Sequence, residues 1–310
     1  MRILLTGANG QVGHALRRSL PALGEVVCAT RDGRLADGTP CEVADLARPD
    51  ELETLLQRTT PDVVVNAAAY TAVDRAETER DAAFLINAET VGALARACAE
   101  QGTLLVHYST DYVFPGNEPR PQREDDPTGP LNVYGASKLA GEQAIRASEC
   151  QHLIFRISWV YAAYGHNFLR TMLRLAGECE ELRVVHDQVG APTPAEWIAK
   201  ATAQAIAQRG DRSGTWHLAA GGETAWHGFA EAIFAEALRT GLIQSAPQLI
   251  SVPTSDYPTP ARRPASSRLD TSRFAHDFGI TLPDWRQGVV EVISTLRNQV
   301  LRTERPRPMP

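Results

Sequence analysis

Apolar positions in the first half of the chain fall into two alternating kinds of run. Short stretches rich in Val, Ile and Leu at residues 2–5, 25–29, 63–66, 103–108 and 152–157 have the length and composition of strands. Between them, residues 11–20, 49–58, 81–101 and 134–147 carry apolar side chains at helical spacing. Strands that are apolar on both faces and alternate with helices predict an α/β chain. The expected form is a Rossmann-like, doubly wound parallel sheet with helices on both sides.

The alternation loosens after Trp159. Helical spacing returns at 196–208 and 229–240, a strand pattern at 215–218, and prolines gather at 247, 253, 258, 260 and 264. Residues 1–160 are therefore expected to form a dinucleotide-binding domain. Residues 161–300 are expected to form mainly a smaller, loop-rich C-terminal substrate lobe, with some segments returning to the first domain. Residues 301–310, with three prolines and three arginines from 302 onward, read as a flexible tail.

Composition excludes several classes. The formal charge of −6, from 31 basic and 37 acidic residues, does not suit a nucleic-acid binder. The longer apolar runs end far short of a membrane span, and the start lacks the pattern of an export signal, so the expected location is the cytoplasm. Cys28, Cys41, Cys98, Cys150 and Cys179 are odd in number and never spaced CxxC. They read as reduced thiols, with no metal site and no disulfide framework.

Against this frame, three local patterns carry chemistry. Gly7, Gly10 and Gly13 lie between the first strand and the first helix, with Gln11 and Val12 inside the turn. That spacing suits a tight turn, close approach of backbone to a pyrophosphate, and a helix N-terminus aimed at the phosphates. The second strand ends Ala29-Thr30-Arg31, with no acid at the tip to hold a ribose 2′-hydroxyl. Arg31 is a candidate partner for a 2′-phosphate, which favours NADPH over NADH; Asp32, one position on, pulls the other way. Asp45 and Leu46 are candidates to bracket the adenine, although Asp45 is equally a candidate helix N-cap.

Tyr134 and Lys138 stand four residues apart on one helix face, a YxxxK pair. A nearby cation favours the phenolate, so the pair is a candidate proton donor and its tuner. Thr110 follows the apolar strand at 103–108, where ligands gather beyond the carboxyl ends of a doubly wound sheet. It is the candidate to orient a carbonyl with Tyr134, Ser109 being the competing hydroxyl, and Asp111 is the candidate contact to sugar hydroxyls. Small residues at 67–69 leave room for a nicotinamide or ribose, and Asn87 reads as a tie for backbone near the site.

Taken together, these residues resemble the extended short-chain dehydrogenase/reductase superfamily and, within it, the dTDP-4-dehydrorhamnose reductase family. The resemblance spans nearly the whole chain. It includes GQVG at 10–13, VVNAAAYTAVDRAE at 64–77, HYSTDYVFPG at 107–116, PLNVYGASKLAGE at 130–142 and FRISWVYAAYGHNF at 155–168. In the lobe it adds HDQVGAPT at 186–193 and YPTPARRPASSRLD at 257–270. It implies NAD(P)H-dependent reduction of a dTDP-linked 4-keto-6-deoxysugar, with Tyr134 as proton donor supported by Lys138. It also implies cofactor contacts at Gly10, Gln11, Val12, Asp45, Leu46, Ala69, Tyr70, Thr71, Tyr134 and Lys138. Val73, Thr110, Asp111 and Trp159 are its implied substrate contacts; from residue type alone, Trp159 would more often be a core side chain. Position 15 is Ala15, so the acid-bridged metal dimer of some relatives is not carried over, and a homodimer of another kind stays open. The alternatives are another nucleotide-sugar epimerase or dehydratase, and a non-catalytic subunit resembling the β subunit of methionine adenosyltransferase.

Overall fold

In the computed structural model, which describes residues 1–304, the main sheet has seven parallel strands. In spatial order they are Gly214–His217, His152–Ile157, Leu104–Thr110, Val63–Asn66, Arg2–Thr6, Glu25–Thr30 and Glu42–Val43. The direction of winding reverses between Val63–Asn66 and Arg2–Thr6, which places a crevice beyond the carboxyl ends of those two strands.

Alternation within the strands explains the two-faced core. Ile3, Leu5, Val63, Val65, Leu104, Val106, Leu153 and Phe155 face one cluster, shared with helices Gln11–Ser19 and Ala195–Gln208. Leu4, Val64, Leu105 and Ile154 face the other, shared with helices Pro49–Thr59 and Thr90–Gln101 and with Ile145 of helix Val133–Ala147. Each strand side is thus spent on a helix layer, as a period of two requires. Helices Arg80–Phe84 and Thr90–Gln101 flank the π-helical turn Leu85–Glu89. The run 80–101 has the length and apolar content of a membrane span, but more than half of it is buried in the fold.

A third cluster, built on Tyr161, Leu169, Phe229, Ile233, Trp285 and Val289, forms the core of the C-terminal lobe. The lobe holds more regular structure than its sequence suggests. Strands Glu181–Val185 and Gln248–Val252 pair in parallel, and helices Phe168–Leu175, Ser272–Phe278 and Trp285–Glu304 are all additions. The last helix carries residues 301–304 of the segment expected to be a flexible tail; residues 305–310 lie outside the described residues. The five cysteines are unpaired.

Candidate active site

The glycine turn sits at the crevice. Gly7 has φ +66°, and a Cβ there would stand 2.6 Å from the Ala68 nitrogen. A Cβ on Gly13 would stand 2.1 Å from the Gly7 carbonyl oxygen, so the helix can approach the turn only without one. No side chain caps the helix at Gly10, leaving its N-terminus free for an anion. The turn is braced on both sides. Asn9 Nδ2 donates to the Arg34 carbonyl at 2.8 Å and Asn9 Oδ1 accepts from Ala36 N, while Gln11 Oε1 accepts from Asn167 Nδ2 of the lobe at 2.8 Å.

Arg31 is exposed at the tip of the second strand. Asp32 is folded back: its Oδ1 accepts from Thr30 Oγ1 at 2.9 Å and from Arg34 N. The Thr30 bond, then the Arg34 amide, hold its carboxyl below the usual range. Asp45 is not the cap of helix Pro49–Thr59; Arg48, three residues later, occupies that position. Asp45 instead closes a local turn, accepting from Ala47 N at 3.0 Å. Leu46 is buried, and its carbonyl accepts from Thr90 Oγ1 at 2.6 Å.

Ala69, Tyr70 and Thr71 line the exit of strand Val63–Asn66, and Val73 begins the short helix Val73–Ala76. Asn87 ties this exit to the helix Val133–Ala147. Its Oδ1 accepts from Tyr70 N at 2.9 Å, and its Nδ2 donates to the Tyr70 carbonyl and to Ser137 Oγ, each at 3.0 Å. Its place in the π-helical turn Leu85–Glu89 breaks the continuous helix expected over 81–101. Gly141 lets helix Val133–Ala147 lie against that turn, for a Cβ there would meet the Asn87 carbonyl oxygen at 2.1 Å.

Helix Val133–Ala147 is capped by Asn132, whose side chain accepts from Gly135 N at 2.8 Å. Tyr134 lies in its first turn and Lys138 one turn on. Burial pushes the Tyr134 phenol up to about 12, with the neighbouring Thr110 hydroxyl opposing. Thr110 ends strand Leu104–Thr110, and its Oγ1 donates to Asp111 Oδ1 at 3.0 Å. Ser109 has the opposite parity and faces Glu142, whose buried carboxylate forms a bidentate pair with Arg156 at 2.9 and 2.7 Å. The hydroxyl beside Tyr134 is therefore that of Thr110. Asp111 is buried, its Oδ2 has no hydrogen-bond partner among the described residues, and burial pushes its carboxyl up to about 6.

Burial also brings Lys138 down to about 8, with Glu142 opposing. Its Nζ lies 3.1 Å from His107 Nε2, so in this state the lysine is engaged with the sheet beneath it. Sequence spacing gives His107 no role.

Trp159 is half-buried at the lobe side, with φ +46°, and stacks on Trp226 with centroids 3.6 Å apart and planes 6° apart. Gly190 makes room for it, since a Cβ there would stand 2.6 Å from the indole. Trp226 and the Asp74–Arg263 pair are further site-side features without a local sequence signature. Arg263 donates to both Asp74 oxygens at 2.8 and 2.7 Å, pinning the proline-rich segment of the lobe beside the first domain. Among the described residues no cluster of three or more His, Cys, Asp or Glu could hold a metal ion.

Residues 1–298 match the RmlD substrate binding domain family. The chain is 50% identical over 299 residues to a dTDP-4-dehydrorhamnose reductase of Shigella flexneri, covering 96% of this chain and 98% of that protein. It is 50% identical over 308 residues to one from Burkholderia thailandensis, covering 96% and 100%. A crystal structure of a dTDP-4-dehydrorhamnose reductase from Bacillus anthracis, in complex with NADP, superposes with a TM-score of 0.86 at 33% identity, covering 95% and 99%.

Proposed function

The chain belongs to the RmlD substrate binding domain family, and from that premise we propose that it reduces the C4 ketone of dTDP-4-dehydrorhamnose to the alcohol of dTDP-rhamnose, with a reduced nicotinamide dinucleotide as co-substrate. The observation that carries the reading is the group at the end of strand Leu104–Thr110. A threonine hydroxyl and a tyrosine phenol adjoin each other beside a buried carboxylate oxygen with no partner among the described residues. That set matches a ketone flanked by a hydroxyl: two donors for the carbonyl oxygen and one acceptor for its neighbour.

The residues fit a dinucleotide. The uncapped helix N-terminus behind Gly7, Gly10 and Gly13 takes the pyrophosphate, with Gln11 and Val12 supplying amides. Asp45 and Leu46 bracket the adenine, and Ala69, Tyr70 and Thr71 border the nicotinamide end. Arg31 takes a 2′-phosphate, since Asp32 is turned inward on Thr30; NADPH is the preferred form. When bound, the dinucleotide supplies the hydride.

The protein's part is orientation and proton supply. Tyr134 and Thr110, whose one hydroxyl hydrogen must turn from Asp111 Oδ1 to the ketone, donate to the ketone oxygen as negative charge builds on it, where such donors act most strongly. Tyr134 then gives up its proton to that oxygen. Asp111 accepts from a sugar hydroxyl, and Val73 and Trp159 border the substrate. Burial keeps Tyr134 protonated before reaction, the state a reductase needs.

Product analysis after incubation with dTDP-4-dehydrorhamnose and each reduced cofactor tests the reading. Stoichiometric dTDP-rhamnose with cofactor consumed is expected; an isomerised or dehydrated sugar without net consumption would refute it. Tyr134→Phe is expected to lower kcat by about 10²–10⁴ with cofactor affinity retained. Arg31→Ala is expected to raise KM for NADPH and leave that for NADH unchanged; equal effects on both would remove Arg31 from the site.

A further inference from the structure

Beneath Lys138 the apolar sheet carries three buried polar residues in one register row. Thr6, Asn66 and His107 are partners on three adjacent strands, and each is at most 1% exposed. Thr6 Oγ1 donates to Asn66 Oδ1 at 2.7 Å, Asn66 Nδ2 lies 3.2 Å from His107 Nδ1, and His107 Nε2 lies 3.1 Å from Lys138 Nζ.

The direction of this line follows from groups that can only donate. The backbone amide of Ala68 donates to Asn66 Oδ1 at 3.2 Å, so the oxygen of that side chain must face it. Asn66 Nδ2 then faces His107, and His107 Nδ1 must accept. Burial holds the imidazole well below its ordinary pKa, so the ring is neutral. A neutral ring that is bare at Nδ1 carries its proton on Nε2. That N–H points at Lys138 Nζ. An ammonium has three donors and no acceptor, whereas an amine has a lone pair. The contact is a hydrogen bond only when Lys138 is uncharged.

We propose that His107, its tautomer set by Asn66 and Thr6, is a positioning residue that favours the neutral amine form of Lys138 in the ligand-free protein. Its meaning for catalysis rests on the reading of Tyr134 and Lys138 given above. The other charged or titratable groups around Lys138 are Tyr134 and Glu142 on its own helix. Glu142 is neutralised by Arg156 of strand His152–Ile157 and by Arg146. In its amine form Lys138 does not draw the proton off Tyr134, which adds to the burial that keeps the phenol intact for a ketone.

The chain has two lysines, Lys138 and the exposed Lys200, so protein labelled with ¹⁵Nζ-lysine gives one signal for each. Lys138 is expected to lose its proton at least about one pH unit before Lys200. The ¹⁵N spectrum of His107 is expected to show a bare Nδ1 and a protonated Nε2. In Asn66→Asp the carboxylate accepts from Nδ1, so the His107 proton is expected to move to Nδ1 while the Lys138 midpoint rises by about one unit or more. A new negative charge alone would raise Lys138 without moving the histidine proton. Joint titration of the two lysines in the parent protein, or a His107 proton already on Nδ1, overturns the proposal, and so does a rise of Lys138 without tautomer exchange. These spectra need no substrate. Lack of turnover with dTDP-4-dehydrorhamnose, beside the expected spectra, would sink the functional reading and leave this one standing.

Discussion

Asp111 gives the sharpest test of how the site is built, because it should weaken the fold it belongs to. The residue is 4% exposed, Oδ1 accepts from Thr110 and Oδ2 has no partner among the described residues. Burial pushes its carboxyl from 3.8 up to about 6, outweighing the opposing Ser267 and Thr110 hydroxyls. A carboxyl with a folded pKa above its unfolded value favours the folded chain in acid. That advantage is lost as pH rises from about 4 through about 6. At about 1.4 kcal/mol per unit, the ionised residue costs the fold about 3 kcal/mol at pH 8. Asp111→Asn keeps the shape and the Oδ1 acceptor and removes the charge. Urea unfolding followed by tryptophan fluorescence should find the variant more stable than the parent by about 1–3 kcal/mol near pH 8, the gain shrinking as pH falls toward 4. Turnover should fall, since an amide nitrogen donates where a carboxylate oxygen accepts. A stability difference that is the same at both pH values would refute the argument.

The remaining predictions concern backbone contacts around the same crevice. Gly13→Ala should weaken dinucleotide binding by about tenfold or more, read by fluorescence titration, because both atoms nearest the new Cβ belong to the Gly7 carbonyl and cannot swing aside. An unchanged Kd would separate this turn from the cofactor. Asn87→Ala removes three hydrogen bonds of a fully buried amide at once and should cost about 2–4 kcal/mol in urea unfolding, with a raised KM for cofactor as the Tyr70 segment loosens. A loss under about 0.5 kcal/mol would mean that water replaces the amide.

The sheet was legible because its strands are apolar on both faces and end where glycine, proline or an amphipathic pattern begins. Strands expected at 25–29 and 103–108 are observed at Glu25–Thr30 and Leu104–Thr110, and helix Val133–Ala147 differs from its expected bounds by one residue. The edge strand Glu42–Val43 was not legible, being two residues long and not fully buried. The helix Trp285–Glu304 left a signal that the proline-rich context obscures: Val289, Val292, Ile293 and Leu296 repeat at three and four residues and pack into the lobe core. Asn87 stood out as polar in an apolar helix, but the π-helical turn around it depends on partners 17 and 50 residues away.

The shared face of Tyr134 and Lys138 was legible because a helix brings together residues four apart, a local rule. Its support was not, because a sheet converts register into proximity, and register links distant segments. Thr6 and Asn66 are 60 residues apart, Asn66 and His107 are 41, and nothing in any one strand says that the three align. Parity then decides what the row faces. Thr6, Asn66 and His107 have the same parity as Leu4, Val64 and Leu105, which pack under the layer containing helix Val133–Ala147. Their row closes the apolar core at the carboxyl end of the sheet, where a further Leu or Val would leave the Lys138 nitrogen buried without a partner. A buried amine in an apolar wall is costly unless it is hydrogen-bonded. The polar row thus lets a lysine stand inside the fold close to Tyr134, at the one edge of the sheet where a ligand can reach it.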